Sequence, residues 1–258
     1  MRAMRSPLFI LALLALAACD AQPIDWDPTI TPANQGSRLV VDSAGKAGFF
    51  RDTAPAPAVP LPGVCSSSVR AAWGTTRLRA VWWGVRADSS AVLYLAASPD
   101  SGHTWESPIA VDTADVSSAG CDRPAPSIAA EGDDLHIAYS MRASEGTGVF
   151  FAHFLATMLH SPVVVIYGDR LVPTAIAVDG DRVAVAYEDP NGKRRQVAVA
   201  LSSTQGHIFE VHAVASRDVD VATDPLVAIA DHRIAVSWLT RQAPDSAATR
   251  VVRRGTIN

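Results

Sequence analysis

The sequence has few aromatic residues, little net charge and few cysteines. Phe, Trp and Tyr make up 7% of its 258 residues, and 22 Lys and Arg stand against 26 Asp and Glu. A formal net charge of −4 provides no basic field for a phosphate backbone, which argues against a nucleic-acid partner. A Gly-x-Ser-x-Gly elbow, a phosphate-binding loop and a Cys-x-x-Cys pair are all missing from the sequence. We therefore expect no cofactor.

The seven histidines are distributed along the chain. His136 falls in a predicted strand, while His103 and His207 fall in two loops of similar sequence. We interpret the histidines as structural or exposed residues rather than ligands, and we predict no metal site.

Long apolar runs are confined to the start of the chain. Arg2 and Arg5 precede an apolar segment that is too short to span a bilayer, as in a secretory signal. It ends in Leu16-Ala17-Ala18-Cys19, which resembles the lipobox of bacterial lipoproteins. The resemblance implies a signal peptide at 1–18 and an acylated Cys19 that anchors the chain to a membrane on the extracytoplasmic side. Asp20 favours retention at the inner membrane. An ordinary cleaved signal is the alternative.

The remainder of the chain divides into a tether and one domain. Residues 19–37 are polar and contain proline, which predicts a flexible tether. Residues 38–258 draw their apolar character from short runs of Val, Ala, Ile and Leu, which favour many short strands in one all-β domain. A proline-rich stretch at 52–63 predicts an extended connection within it.

Two cysteines remain once Cys19 is assigned to the lipid. In an exported chain, an even pair is most simply a disulfide. Cys65 and Cys121 each precede an apolar strand by a similar distance, so corresponding strands of neighbouring repeats would bring the two sulfurs together. We predict a structural bridge.

The domain contains a repeat of about fifty residues, the length of a four-stranded propeller blade. Each unit has an apolar run that ends in an aromatic residue, often after a Gly- and Asp-containing turn, and a further strand follows. The runs are Leu78–Trp82, Leu135–Tyr139, Val183–Tyr187 and Ile234–Trp238. The following strands are Ala91–Ala96, Gly148–Phe154, Gln196–Leu201 and Thr249–Arg253.

One loop carries a motif of known structural meaning. Ser98, Asp100, Gly102, Thr104 and Trp105 form the pattern Ser-x-Asp-x-Gly-x-Thr-Trp, which resembles the Asp-box of BNR repeats in sialidase-type β-propellers. Polar side chains at its start can hydrogen-bond to the loop backbone, and its glycine permits a left-handed conformation. A second loop, 202–209, keeps the Ser, the Gly-His pair and a terminal aromatic.

The resemblance implies an all-β fold. We predict a β-propeller of four four-stranded antiparallel blades, or five if Lys46–Phe50 belongs to a further blade. The last repeat supplies three strands before the chain stops. We expect Arg38–Asp42 to provide its outer strand and to close the ring.

The same resemblance suggests a site among the loops between blades. Arg123 and Arg170 each stand three residues before a proline that opens an inner strand, and Arg142 lies in a neighbouring loop. Converging guanidinium groups would bind a carboxylate, as the arginine cluster of sialidases does. The alternative is that Arg123 and Arg170 are solvated charges paired with Asp122 and Asp169.

Tyr187, Glu188 and Asp189 are the catalytic candidates, as a tyrosine nucleophile with carboxylates of the kind sialidases use. The competing interpretation is a packing role for Tyr187, because Trp82, Tyr139 and Trp238 occupy the same repeat position. The chain also lacks the Arg-Ile-Pro motif of catalytic sialidases near the start of the domain.

We therefore expect a lipid-anchored, extracytoplasmic propeller that binds a glycan or an envelope protein. One alternative is an exo-sialidase-type glycoside hydrolase. Another is a non-catalytic scaffold subunit of an envelope complex.

Overall fold

The structure, a computed structural model, describes residues 23–34, 36–50, 59, 64–155, 158–216, 221–241 and 246–258. The signal peptide, Asp20 and the predicted lipid attachment at Cys19 lie outside the described residues. Regular structure within them is β-strand apart from a 3-10 turn at Ser66–Ser68, so the all-β prediction is confirmed. No helix in the described part of the chain is long and apolar enough to cross a membrane.

Twenty strands are described, and most belong to four antiparallel sheets of consecutive strands. In chain order they are β1 Ile24–Trp26, β2 Thr31–Pro32, β3 Arg38–Val41, β4 Ala47–Phe50, β5 Arg70–Trp73, β6 Leu78–Val85, β7 Ala91–Ser98, β8 Ile109–Asp112, β9 Ser127–Glu131, β10 Asp134–Ala143, β11 Gly146–Leu155, β12 Met158–Leu159, β13 Val163–Gly168, β14 Thr174–Asp179, β15 Arg182–Glu188, β16 Val197–Ser202, β17 Val211–Val214, β18 Ala222–Ala230, β19 Arg233–Thr240 and β20 Thr249–Ile257.

We name the sheets in chain order. Sheet I contains β5–β8, sheet II contains β9–β13, sheet III contains β14–β17, and sheet IV contains β18–β20 with β1 and β2. Strands β3 and β4 form a separate hairpin. The predicted apolar runs and the strands that follow them coincide with the second and third strands of sheets I–IV, so those predictions are confirmed.

Apolar side chains pack between successive sheets rather than within one. Separate buried clusters join sheet I to sheet II, II to III, III to IV, and IV to the β3–β4 hairpin. The repeated aromatics Tyr139, Tyr187 and Trp238 each face the preceding sheet and are almost completely buried. Trp82 is also buried, on the face of sheet I away from sheet II. Because a single sheet would expose these faces to water, each unit needs its neighbours.

The turns between the first and second strands also link neighbouring sheets. Thr75 N–H donates to the Gly132 carbonyl (2.8 Å), Gly180 N–H to the Glu131 carboxylate (2.9 Å), and Asp231 N–H to an Asp179 oxygen (2.5 Å). We call this end of the sheets the turn end. The opposite end, where the chain passes from one sheet to the next, is the loop end.

The strand that completes sheet IV differs from the prediction. Ile24–Trp26 pairs antiparallel with β20, whereas Arg38–Val41 pairs with Ala47–Phe50 in the hairpin. Ile24 is 2% exposed and joins the core between sheets III and IV. The prediction of a flexible tether across 19–37 is therefore wrong for the two segments that pair with β20. Burial of the Ile24 side chain stabilises this pairing, whereas the polar composition of the surrounding residues predicted a flexible segment.

The Cys65 and Cys121 sulfurs form a disulfide with a Cα–Cα distance of 5.3 Å. The bridge ties the start of sheet I to the loop before sheet II. It spans 56 residues of sequence, so it constrains a large part of the unfolded chain.

The loop 98–105 is closed by its own polar side chains. Ser98 Oγ accepts from Gly102 N–H (2.7 Å), and the Asp100 carboxylate accepts from the Thr104 N–H and hydroxyl (both 2.7 Å). The Thr104 hydroxyl and N–H lower the pKa of Asp100 to about 2. The motif predicts that the Trp105 ring is buried between neighbouring sheets. Instead, Trp105 is half-buried and packs beside Trp82 on sheet I itself.

Candidate functional site

Arg123 does not face a ligand site. Its side chain is 0% exposed, and its Nη1 lies 3.0 Å from the buried carboxylate of Asp115. The guanidinium lies over the Trp83 ring and donates to the carbonyls of Ser89 and Ser117. The prediction that Arg123 binds a ligand is wrong, because burial and an internal ion pair remove its charge from solvent. The alternative partner, Asp122, is not the one it uses.

The other predicted arginines do not join it. Arg170 donates to the carbonyl of Asp189, and Arg142 is exposed and donates from Nε to the Thr147 hydroxyl (3.1 Å). The predicted convergence of Arg123 and Arg170 on one carboxylate is therefore wrong, since each guanidinium is held by its own local acceptors.

Tyr187 is 1% exposed, and its hydroxyl lies 3.1 Å from His212 Nδ1. Burial, with a smaller contribution from Asp189, raises the pKa of Tyr187 well above its ordinary value. A buried tyrosine with a raised pKa is a poor nucleophile. The catalytic assignment of Tyr187 is wrong, and its packing interpretation is the one that its position between sheets II and III supports.

The two acidic neighbours of Tyr187 also have local roles. Glu188 is 5% exposed, and its carboxylate accepts from Asp224 N–H (3.2 Å). Asp189 accepts from Asn191 N–H (2.9 Å), which closes the turn after β15. The carboxylates therefore hold backbone at the loop end, and the structure shows no catalytic arrangement of these residues with Tyr187.

Asp224 marks an irregularity in sheet IV. It has a positive φ of 54° and lies where the register of β18 shifts against β19. Its half-exposed carboxylate pairs with Arg250, a buried side chain that also reaches the Asp224 carbonyl and the Ser237 hydroxyl. The buried guanidinium of Arg250 therefore holds Asp224 in its strained backbone conformation.

The loop end contains a cavity of about 300 Å³ between sheets I and II. Its walls come from the end of β8, from β10 and β11 with the loop between them, and from β13. We call it the Asp112 cavity; its lining residues are Asp112, Ala114, Met141, Glu145, Phe150, Pro162, Val164 and Tyr167.

Asp112 is the fixed polar group of this cavity. Its Oδ2 accepts from the Tyr139 hydroxyl at 2.6 Å, and its Oδ1 accepts from Ala114 N–H at 2.8 Å. Burial, and secondarily the Asp112 charge, raise the pKa of Tyr139 well above its usual value, so Tyr139 remains a neutral donor. The carboxylate is therefore oriented and rigid, as a recognition group should be.

The opposite wall presents an exposed charge and an aromatic surface. Glu145 is exposed and Tyr167 is 47% exposed. The Tyr167 and Phe150 rings are packed edge to face, with their centroids 6.3 Å apart. The charged side chains among the lining residues are both acidic. Such a cavity can accept hydrogen bonds from hydroxyl groups and stack an apolar ring face, but it would repel a carboxylate.

A larger opening, about 670 Å³, lies at the turn end between the same two sheets. An Arg77–Glu106 ion pair lies along it, and the buried Arg79 packs against Gly74 there. Two of the charged side chains at this opening are therefore already paired with each other.

Three histidines that are far apart in the sequence meet in the structure. His153, His160 and His207 come together at the turn end, with one nitrogen from each ring within 4.8 Å of the others. They belong to two different sheet regions, 153–160 and 207, so the cluster depends on how sheets II and III pack.

The sequence indicated the region of the Asp112 cavity but not its residues. A ligand face built from the loops between blades and from those between second and third strands includes residues 112–123, 141–147 and 167–171. The first residues of these loops are Asp112, Met141 and Tyr167. The pairing of Asp112 with Tyr139 joins different sheets, so no local pattern announces it.

No protein-family model and no curated protein matches the chain. Among solved structures, a protein of unknown function from Dyadobacter fermentans is 19% identical, with a TM-score of 0.52, over 73% of this chain and 52% of that one. A sialidase from Trypanosoma rangeli is 12% identical, with a TM-score of 0.51, over 88% of this chain and 41% of that one. The chain thus spans about half or less of these two proteins. The likeness shows the fold, a sialidase-like β-propeller.

Proposed function

We propose that this protein is a lipid-anchored envelope protein whose propeller binds a neutral glycan in the Asp112 cavity. Sheets I–IV are the four blades, and the β3–β4 hairpin is a short fifth. Cys19 carries the lipid, and Asp20 retains the chain at the inner membrane.

The observation that carries this proposal is the chemistry of the cavity walls. An oriented carboxylate at Asp112 and an exposed carboxylate at Glu145 accept hydrogen bonds from sugar hydroxyls, while Tyr167 offers a ring face for stacking. The absence of basic groups among the lining residues favours neutral over acidic sugars. A sialic-acid carboxylate would meet two like charges.

The test is direct binding by calorimetry, using neutral oligosaccharides identified on a glycan array and lactose with its sialylated counterpart. We expect saturable binding of a neutral glycan, weakened about tenfold by Tyr167→Ala, since an aromatic contact contributes about 0.5–1.5 kcal/mol beyond its buried area. Glu145→Gln should weaken binding too. Trp73→Ala, which removes a 57% exposed ring at the turn end, is the matched control and should bind as wild type.

The proposal fails if the array shows no neutral ligand, if sialyllactose binds more tightly than lactose, or if Tyr167→Ala and Trp73→Ala have the same effect. Recovery of an envelope protein without any glycan hit would support the scaffold alternative instead. Release of free sugar from a bound ligand would show a hydrolase.

The anchor has its own test. Metabolic labelling with an alkyne fatty acid should mark the wild-type chain and place it in the membrane fraction. Cys19→Ser should remove the label. A labelled Cys19→Ser chain would contradict the assignment.

A further inference from the structure

The structure assigns a second binding function to the turn end: we propose that His153, His160 and His207 bind a divalent transition-metal ion, with zinc the best fit. The three side chains lie between sheets II and III, at the end of the blades opposite the Asp112 cavity. The proposal therefore does not depend on glycan binding.

The three imidazoles are close enough to share one ion. Ring centroids are 4.6 Å apart for His153 and His160, 4.6 Å for His153 and His207, and 5.5 Å for His160 and His207, with the rings steeply inclined to one another. Zinc binds histidine nitrogen at about 2.0–2.1 Å, which places two tetrahedral ligand atoms about 3.4 Å apart. The ligand nitrogens lie within 4.8 Å of one another, so modest rotations of the imidazole rings bring them to ligand distance.

His153 is already oriented as a ligand. It is 3% exposed, and its Nδ1 lies 2.7 Å from the carbonyl oxygen of Gln205. This contact places the ring proton on Nδ1 and leaves the Nε2 lone pair for a metal. Gln205 is itself held by Asp181, through its N–H to the Asp181 carbonyl (2.8 Å) and its side-chain amide to the carboxylate (3.0 Å).

The other two ligands are positioned by backbone contacts. His160 N–H donates to the His153 carbonyl at 2.9 Å, so these two residues stay adjacent across the end of sheet II. His207 N–H donates to the Thr204 carbonyl at 3.1 Å inside the loop that follows β16. The site is therefore assembled from the edges of two packed sheets.

The loop that carries His207 repeats the backbone of the 98–105 loop. Ser202 Oγ accepts from Gly206 N–H at 3.0 Å, as Ser98 Oγ accepts from Gly102 N–H. His103 and His207 thus occupy equivalent loop positions after a glycine. His207 meets two histidines of the neighbouring sheet, whereas His103 is exposed and has no place in the cluster.

Three neutral nitrogen ligands leave one tetrahedral position open. In zinc sites of this kind a water or an incoming group occupies the fourth position. Buried His153 forms the floor of the site and exposed His207 its rim, so the open position faces solvent. Imidazole ligands suit zinc, copper and nickel better than calcium or magnesium, which prefer oxygen.

The test uses the full chain without a polyhistidine tag, carrying Cys19→Ser to remove a competing thiol. After chelator treatment, zinc titration by calorimetry should show one ion per chain. Cobalt(II) should give the intense visible bands of a tetrahedral ion, and zinc should raise the Tm. His160→Ala and His207→Ala should each weaken zinc binding at least tenfold, while the matched His103→Ala should bind as wild type.

Circular dichroism should show that the His160→Ala and His207→Ala chains are folded, because neither removes a fully buried side chain. The proposal is overturned if zinc shows no saturable binding, if His207→Ala binds zinc as tightly as wild type, or if His103→Ala loses as much affinity. Loss of glycan binding in Tyr167→Ala with unchanged zinc affinity would confirm that the two sites are separate.

Discussion

The buried pair of Arg123 and Asp115 gives the sharpest test of the site assignment. A surface arginine that binds a ligand can be removed with little effect on stability, whereas a buried one cannot. Removing one partner of a buried ion pair costs about 3–5 kcal/mol, because the other charge remains in a low-dielectric interior. The side chains of this pair are 0% and 1% exposed, so screening by solvent does not reduce this loss of free energy.

We therefore expect Arg123→Met to lower the free energy of unfolding by about 3–5 kcal/mol in urea denaturation, with the disulfide intact. Asp115 retains one hydrogen bond from Ser117 N–H (2.9 Å), which asparagine can also accept. The double variant Arg123→Met/Asp115→Asn should recover at least half of the loss, because no unpaired charge remains. Glycan affinity of the folded fraction should not change.

Two results would refute this reasoning. A loss below about 1 kcal/mol for Arg123→Met would mean that the guanidinium is solvated in solution. A stable Arg123→Met chain with abolished ligand binding would restore the arginine site that the sequence suggested. If Arg123→Met does not fold, recovery of folding in the double variant would show that the unpaired Asp115 charge destabilises the single variant.

Three further predictions concern the scaffold. Replacing Cys65 and Cys121 by serine should cost about 4 kcal/mol from the 56-residue separation, measured by urea denaturation; a loss under 1 kcal/mol would contradict it. Because the Thr104 hydroxyl and N–H lower the folded pKa of Asp100 to about 2, its stabilising effect should be complete above about pH 4 and disappear as the pH falls toward 2. Acid titration of Asp100→Asn should lack that step, and an identical acid profile would refute the assignment. Gly206→Ala should destabilise the chain and weaken zinc binding, because φ is 88° there and a β-carbon would lie 2.1 Å from a phenylalanine ring; unchanged Tm and affinity would count against both.

The repeat was predictable because its signals are local. An apolar run that ends in Tyr139 or Trp238, preceded by a Gly- or Asp-containing turn, specifies a strand and its hairpin within about fifteen residues. The structure places those strands where the pattern indicated. The disulfide partners could likewise be expected from cysteine number and repeat position.

The completion of sheet IV was not predictable in the same way. Both Ile24–Trp26 and Arg38–Val41 are short and β-prone, and each could pair with the edge of β20. The choice depends on which strand buries an apolar side chain against sheets III and IV, and Ile24 does. Such pairing joins residues more than two hundred positions apart.

The predictions of site residues were wrong for a related reason. Arg123 was predicted to bind a ligand and Tyr187 to act as a nucleophile, because a sequence shows residue type but not exposure. Asp115, Trp83 and the packing of sheets II and III decide that both are buried. The histidine cluster was missed because His153 and His207 lie on different sheets.

By itself, the sequence determined the all-β class, the fifty-residue period and the strands within it. These follow from local periodicity and turn chemistry, which neighbouring residues encode. Tertiary structure alone decided which strand completes sheet IV, which charges are buried, and which side chains meet in the Asp112 cavity and the histidine cluster. Those outcomes depend on packing between sheets, where burial and distance are set by residues far apart in the chain.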